Sequence, residues 1–265
     1  MEAFDKAYRK VQKFVDDFAN SSTDTVSVPK KIENKKAWYA EWDDNYFGNF
    51  LNKSITKITL RKIADKYYGK QIEEIIKNAT EITSSNYPQL FDVYNSCCNK
   101  LGMYNQPKAF VTRRMKGINA LSMEVLGEQF ILIGPKVAVM LSPEEQAFLL
   151  GHEISHHQQG NLVCHTANGL IDDFSRASEI FGPLFVDAIE VPLKHWCQYS
   201  EFNADRGGYI CCNDIDIINR LFLKVGMNPN PSSYAKYREL ETIHPLLNTR
   251  FKALTEYIQK HSQKC

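Results

Sequence analysis

The chain has 265 residues, and its 32 basic and 31 acidic side chains give a formal net charge of +1 at neutral pH. A chain of this length can bury a sizeable hydrophobic core, and a balanced charge leaves no basic footprint for a nucleic acid partner. Its apolar stretches, such as the one from Phe130 to Leu141, are interrupted and fall short of the ~20 apolar residues of a transmembrane segment.

Residues 1–57 are predicted to form an N-terminal appendage that is helical and rich in aromatic side chains. Apolar residues recur at helical spacing over 3–20, and the polar stretch 20–36 is typical of a linker. Aromatic side chains then cluster between Trp38 and Phe50. This cluster either packs as a small satellite core or forms a lid beside a substrate cleft, and the sequence leaves both interpretations open.

The N-terminus and the cysteines indicate the cellular compartment in which the protein is expected. The chain begins with charged residues and lacks an apolar signal segment. Its seven cysteines include no Cys-x-x-Cys unit, which argues against a second, structural zinc site. Reduced thiols and a cytoplasmic location are therefore expected.

Residues 58–265 are predicted to form an α+β domain that is mainly helical and has one small sheet. Apolar spacing predicts helices from about 60 to 101, a strand over 108–114, and a hairpin of strands 117–125 and 128–133. Residues 157–200 are expected to form a long connection with one or two short helices, and a further helix is expected to follow Pro192. The last predicted helices run from Asn213 to Gly226 and over about 246–260.

The pentapeptide His152-Glu153-Ile154-Ser155-His156 falls within a helix that the sequence marks clearly. Ser142, Pro143 and Glu145 have the spacing of an N-terminal capping box. Histidines four residues apart lie on one helix face and can reach the same metal ion, and a glutamate beside the first can act as a general base on a metal-bound water. Two ordinary surface histidines would be the alternative.

A catalytic zinc ion usually has three protein ligands, so a third must come from elsewhere in the chain. An extended form of the motif has a third histidine six residues after His156, but position 162 is leucine here. The best candidate for the third ligand is therefore Glu201. Asp205 follows it by four residues on the same face of a predicted helix. One carboxylate can bind metal while the other holds a ligating imidazole, although a solvated acidic helix face has the same spacing.

Four segments resemble, in the same order, the gluzincin metallopeptidases of the CAAX prenyl protease and HtpX family. They are Gly117-Ile118-Asn119-Ala120-Leu121, His152-Glu153-Ile154-Ser155-His156, Glu201-Phe202-Asn203-Ala204-Asp205 and the stretch from Ile243 to Phe251. The resemblance covers roughly residues 58–260 and implies a zincin-like fold in which an edge strand of the sheet borders the active-site cleft. Ser155 departs from the family, which usually has glycine or alanine there.

The resemblance also implies the chemistry of the site. One zinc ion per chain would be bound by His152, His156 and Glu201. Glu153 would activate the zinc-bound water, and His244 would lie close to the metal and stabilise the oxyanion of the tetrahedral intermediate.

The resemblance implies supporting roles for four further residues. Asp205 would orient a zinc-binding histidine, and Arg250 would brace the acidic helix through Asp205. Asn119 and Ala120 would lie on the edge strand with which an extended peptide pairs.

These residues predict a zinc metalloendopeptidase without transmembrane helices that cleaves extended segments of peptides or unfolded proteins. The first alternative is a zinc-binding regulatory or interaction module of the same fold without proteolytic turnover. The second is a non-peptidase hydrolase, which would need a narrow closed pocket instead of an open edge strand.

Overall fold

A four-stranded mixed sheet packs against long helices in the computed structural model of this protein. The structure describes residues 37–40, 65, 69–159, 162, 183–227 and 244–262, with side chains from Cys197 onward in the helix that begins at residue 183. The predicted helix over 3–20, the linker over 20–36 and most of the aromatic cluster lie outside the described residues. The coarse α+β prediction is confirmed, because helices predominate and the sheet is small.

The sheet has the strand order β1-β2-β4-β3. Its strands are β1 (Thr80–Glu81), β2 (Lys108–Val111), β3 (Ala120–Val125) and β4 (Glu128–Ile133). Strands β2 and β4 are parallel, and the other two pairs are antiparallel. Within the described residues β3 pairs with β4 alone, so it forms one edge of the sheet.

The predicted hairpin is confirmed, with its turn at Leu126-Gly127. Both turn residues have positive φ angles, 55° and 75°, the combination found in two-residue hairpin turns of type I′. The first strand begins later than predicted, at Ala120. Asn119 therefore precedes β3, although its carbonyl continues the pairing by accepting a hydrogen bond from the Gly134 amide at 2.9 Å.

The prediction of helices from about 60 to 101 did not include a strand, and the structure has one between two helices. Residues 69–77 are helical and helix α1 spans Pro88–Leu101, but β1 lies between them. This two-residue strand exists because Thr80 and Glu81 pair with β2, a tertiary contact that leaves no pattern in the local sequence.

Five more helices complete the described fold. They are α2 (Pro135–Met140), α3 (Pro143–Gln159), α4 (Pro183–Cys212), α5 (Ile215–Lys224) and α6 (Leu247–Ser262). Helix α4 corrects the expected start after Pro192, since it begins at Pro183 and continues through Pro192 for 30 residues. An internal proline removes one backbone hydrogen bond, and here it does not end the helix.

Helix α3 begins with the predicted capping box. The Glu145 amide donates to Ser142 Oγ at 3.3 Å, and the Ser142 amide donates to Glu145 Oε2 at 2.9 Å. Glu145 also accepts a hydrogen bond from Lys224 Nζ at 2.6 Å, which ties the start of α3 to the end of α5. The start of the helix that carries both histidines is thus held by local and tertiary bonds.

Helices α3 and α4 approach closely because glycine stands where a side chain would keep them apart. A Cβ atom added to Gly207 would lie 1.7 Å from Ser155 Oγ, and one added to Gly151 would lie 2.7 Å from Cys211 Sγ. A Cβ atom on Gly208 would lie 2.8 Å from the Phe148 carbonyl oxygen. This approach lets side chains of the two helices converge on one point.

The described N-terminal residues pack against the back of α3. Tyr39 is only 2% exposed. Its hydroxyl lies 2.9 Å from Ser155 Oγ and 2.7 Å from Gln158 Oε1. The predicted domain boundary between residues 57 and 58 stays a prediction.

The structure describes the redox state of five cysteines and the length and apolar character of the helices. Cys97, Cys98, Cys211 and Cys212 are free thiols, whereas Cys197 is disulfide-bonded. The expectation of reduced thiols is therefore wrong for Cys197. In the part of the chain that the structure describes, no helix has both the length and the apolar character that crossing a membrane requires.

We expect Gly207→Ala to lower the free energy of unfolding by about 1–3 kcal/mol, because the new methyl group overlaps Ser155 and forces α3 and α4 apart. Thermal unfolding followed by circular dichroism measures the effect. Gly69→Ala is the matched control, since its Cβ atom would meet only the end of the Leu126 side chain at 3.1 Å. Equal unfolding midpoints for Gly207→Ala and the wild type would contradict the role of the close approach.

Candidate metal centre

Two histidines of α3 and one glutamate of α4 converge in the interior. The ligand atoms of His152, His156 and Glu201 all lie within 4.8 Å of one another, and the three side chains are buried. The two Nε2 atoms are 3.1 Å apart. They lie 3.6 Å (His152) and 3.5 Å (His156) from the nearer carboxylate oxygens of Glu201. The structure thus brings together all three predicted metal ligands.

These distances suit one tetrahedral cation. With metal–ligand bonds of about 2.0–2.1 Å, two ligand atoms at the tetrahedral angle lie about 3.3 Å apart. Two imidazole nitrogens at 3.1 Å with both lone pairs facing each other repel, unless a proton or a cation lies between them. Two imidazoles and one carboxylate are also a donor set that catalytic zinc uses.

The outer nitrogens of both rings are held by other side chains. His152 Nδ1 lies 3.0 Å from Asp205 Oδ1, and His156 Nδ1 lies 3.1 Å from Ser200 Oγ. An Nδ1–H that donates to these oxygens leaves the Nε2 lone pair as the ligand. The sequence analysis identified Asp205 but missed Ser200. The position of Ser200 directly before Glu201 is the signal that could have identified it.

Arg250 of α6 pairs with both acidic residues of α4. Its Nε and Nη2 atoms donate to the two oxygens of Asp205 at 2.8 and 2.5 Å, and its Nη1 atom lies 3.0 Å from Glu201 Oε2. Burial by itself raises the pKa of a carboxyl group, but here the charge of Arg250 and the hydrogen bonds from histidine side chains together outweigh it. The pKa of Glu201 lies well below its usual range, and that of Asp205 is lowered.

Among the described residues of the site, buried carboxyl groups outnumber the buried guanidinium that pairs with them. Glu153, Glu201 and Asp205 are all buried, and the guanidinium of Arg250 pairs with Glu201 and Asp205. Burial lowers the pKa of His152, yet the hydrogen bond with Asp205 and the charge of Glu201 outweigh that effect and raise it. The cluster therefore favours positive charge at its centre, as a divalent cation would supply.

Glu153 lies between the candidate ligands and the sheet, and it is 6% exposed. Ser122 of β3 donates to it: Ser122 Oγ lies 2.7 Å from Glu153 Oε2 and 2.8 Å from the Glu153 carbonyl oxygen. Sequence reasoning missed Ser122. A signal existed, because it is a polar residue two positions after Ala120 and so on the same, buried face of a predicted strand.

A cavity of about 420 Å³ opens beside these side chains. Every predicted site residue except Asp205 lines it, namely Asn119, Ala120, His152, Glu153, His156, Glu201, His244 and Arg250. His244 Nδ1 lies 3.3 Å from Glu201 Oε1, and its side chain is 55% exposed. The remaining lining is largely apolar, from Met115, Ile118, Leu121, Phe148, Leu149, Leu221, Phe222, Val225 and Leu247.

Comparison with known families agrees with this geometry. The model of peptidase family M48 matches residues 84–258, which contain every candidate site residue. Searches among curated proteins and among solved structures gave no match. The chain therefore belongs to peptidase family M48, a family of metallopeptidases.

Proposed function

We propose that this protein is a zinc-dependent endopeptidase that cleaves peptide bonds in extended polypeptide segments. The convergence of His152, His156 and Glu201 beside Glu153, in one cavity, is the observation that carries the proposal. Zinc held by these three ligands would supply a Lewis acid that polarises the scissile carbonyl and lowers the pKa of a water molecule towards ~7. We further propose that, within family M48, the protein is similar to the CAAX prenyl proteases and HtpX.

Glu153 is the general base. Its carboxylate lines the cavity next to the candidate ligands, within reach of a water molecule there. It takes a proton from the attacking water and later delivers it to the leaving amine. Its burial suits this exchange, because a desolvated carboxylate does not have to shed bulk water first.

His244 and the Arg250–Asp205 pair have different roles. His244 lines the cavity, where an imidazole N–H can stabilise the oxyanion that forms on the substrate carbonyl. Asp205 orients His152, and Arg250 holds Asp205 and Glu201 in place through its bonds to both.

The substrate is an extended segment that pairs with the edge of β3. Support comes from the position of β3 at one end of the described sheet, with Ala120 and Asn119 lining the cavity. Strand addition requires a segment whose backbone groups are not already paired, which favours flexible tails, loops and unfolded chains over compact domains.

We expect Glu153→Gln to retain zinc and to lose turnover by about 10²- to 10⁴-fold, because the amide cannot accept the proton. Mass spectrometry of a random peptide pool measures cleavage, and elemental analysis measures bound zinc. Glu256→Gln, an exposed position on α6, is the control. Full activity in Glu153→Gln, or cleavage by the chelator-treated protein, would contradict the mechanism. Bound zinc without cleavage by the wild type would favour the regulatory module.

We expect Glu201→Ala to weaken zinc binding by more than about 100-fold, the upper end of the loss seen when only an outer partner of a ligand is removed. The substitution deletes one of the three converging donors and leaves Arg250 facing the site. Zinc per chain after dialysis against a weak chelator is the measurement, with Glu256→Ala as control. Unchanged stoichiometry would remove Glu201 from the ligands.

The substrate in this experiment is a disulfide-bonded protein that unfolds when its disulfides are reduced and blocked. We expect the enzyme to cleave the unfolded form much faster than the folded form, because only the unfolded chain can add a strand to β3. Gel electrophoresis over time compares the two forms, and short peptides of the same sequence serve as a positive control. Equal cleavage rates for the folded and unfolded forms would argue against pairing with the edge strand.

A further inference from the structure

Ser122 carries a buried hydroxyl on β3 that the proposed function does not use. We propose that Ser122 is a positioning residue, whose hydroxyl holds the carboxylate of Glu153 in the orientation that proton transfer requires. The inference rests on the proposed role of Glu153 as the base, and it adds a fixed support for that base outside the metal-binding helices.

The position of Ser122 is set by the sheet. Ser122 pairs with Ile131 in the antiparallel ladder of β3 and β4, so its backbone cannot shift independently. Its side chain is 1% exposed and faces α3, as does that of Ala120 two residues earlier. Burying a hydroxyl in such a place is unfavourable unless the hydroxyl forms a hydrogen bond.

The partner of this hydroxyl is the carboxylate that the reaction needs. An ionised carboxylate only accepts hydrogen bonds. Among the residues that the structure describes, Ser122 is the one with a hydrogen bond to the carboxylate of Glu153, at 2.7 Å from Oε2. The bond occupies Oε2 and leaves Oε1 for the proton of the attacking water. Without it, the three torsions of the glutamate side chain would let the carboxylate leave that orientation.

A second acceptor anchors the hydroxyl on the same residue. Ser122 Oγ lies 2.8 Å from the main-chain oxygen of Glu153. The hydroxyl therefore lies between two oxygens of one residue, and it retains an acceptor when the carboxyl group carries the transferred proton. Contacts to both the backbone and the side chain of Glu153 distinguish a positioning group from an incidental polar neighbour.

Threonine and valine form the matched pair that tests this role. Both add the same bulk to the buried position and both suit a strand, but only threonine keeps the hydroxyl. We expect kcat of Ser122→Val to fall about 10- to 100-fold below that of Ser122→Thr, with KM and zinc content equal in the two. Ser122→Ala removes the hydroxyl without adding bulk. If neither branched variant folds, the comparison of Ser122→Ala with the wild type tests the same role.

A readout that needs no activity separates this inference from the proposed function. The two proteins to compare are the wild type and Ser122→Ala, both loaded with zinc and both crystallised. The Glu153 carboxylate should have one orientation in the wild type. In Ser122→Ala it should be displaced or divided between orientations. A wild type without chelator-sensitive cleavage would overturn the peptidase function, while the two crystal structures would still decide the positioning. An unmoved Glu153 in Ser122→Ala, equal kcat in the threonine and valine variants, or a loss of zinc that accounts for the loss of kcat would each overturn the role of Ser122.

Discussion

The site depends on charged side chains that are held away from water by two helices in near backbone contact. Glu201 and Asp205 of α4 and Glu153 of α3 are buried, and among the described residues the guanidinium of Arg250 pairs with the first two. An uncompensated buried charge costs several kcal/mol even after the protein relaxes. The described charges therefore favour an additional positive charge at the site, and the two facing imidazole nitrogens indicate a place for it.

The close approach of the helices has its own requirement, which involves Ser155. The Ser155 hydroxyl occupies the space that glycine leaves at position 207, and it donates to the Gly151 carbonyl at 2.7 Å. The buried hydroxyl of Tyr39 donates a hydrogen bond to Ser155 Oγ. Glycine or alanine at position 155 would fill the gap between the helices less fully and would offer Tyr39 no oxygen. Ser155, where the resemblance implied glycine or alanine, thus contacts a residue that lies outside the matched range 84–258.

Sequence reasoning succeeded where the determinant is local and failed where it is a contact between distant segments. The capping box at Ser142, the spacing of His152 and His156, and the turn at Leu126-Gly127 are each specified within a few residues, and the structure has all three. Strand β1 depends on its pairing with β2, and the course of α4 through Pro192 has no local signal at all. Glu201 was selected as a carboxylate four residues before Asp205 on a predicted helix, and the family resemblance then supported it. Ser122 and Ser200, which hold Glu153 and His156, act through partners on other elements.

The hydrogen bond between Ser122 and Glu153 also connects the two sides of the cavity. As proposed, the helical side supplies the metal ligands and the base, and the β3 side receives the peptide. A substrate paired with β3 would take its position from the backbone of that strand, and Glu153 takes its orientation from a side chain of the same strand. Since a displacement of about 1 Å between reacting groups can cost 10²-fold in rate, a common support for the base and the substrate reduces the error between them. Small movements of the sheet relative to α3 would then displace the base and the peptide together, and the distance between them would change less than either position.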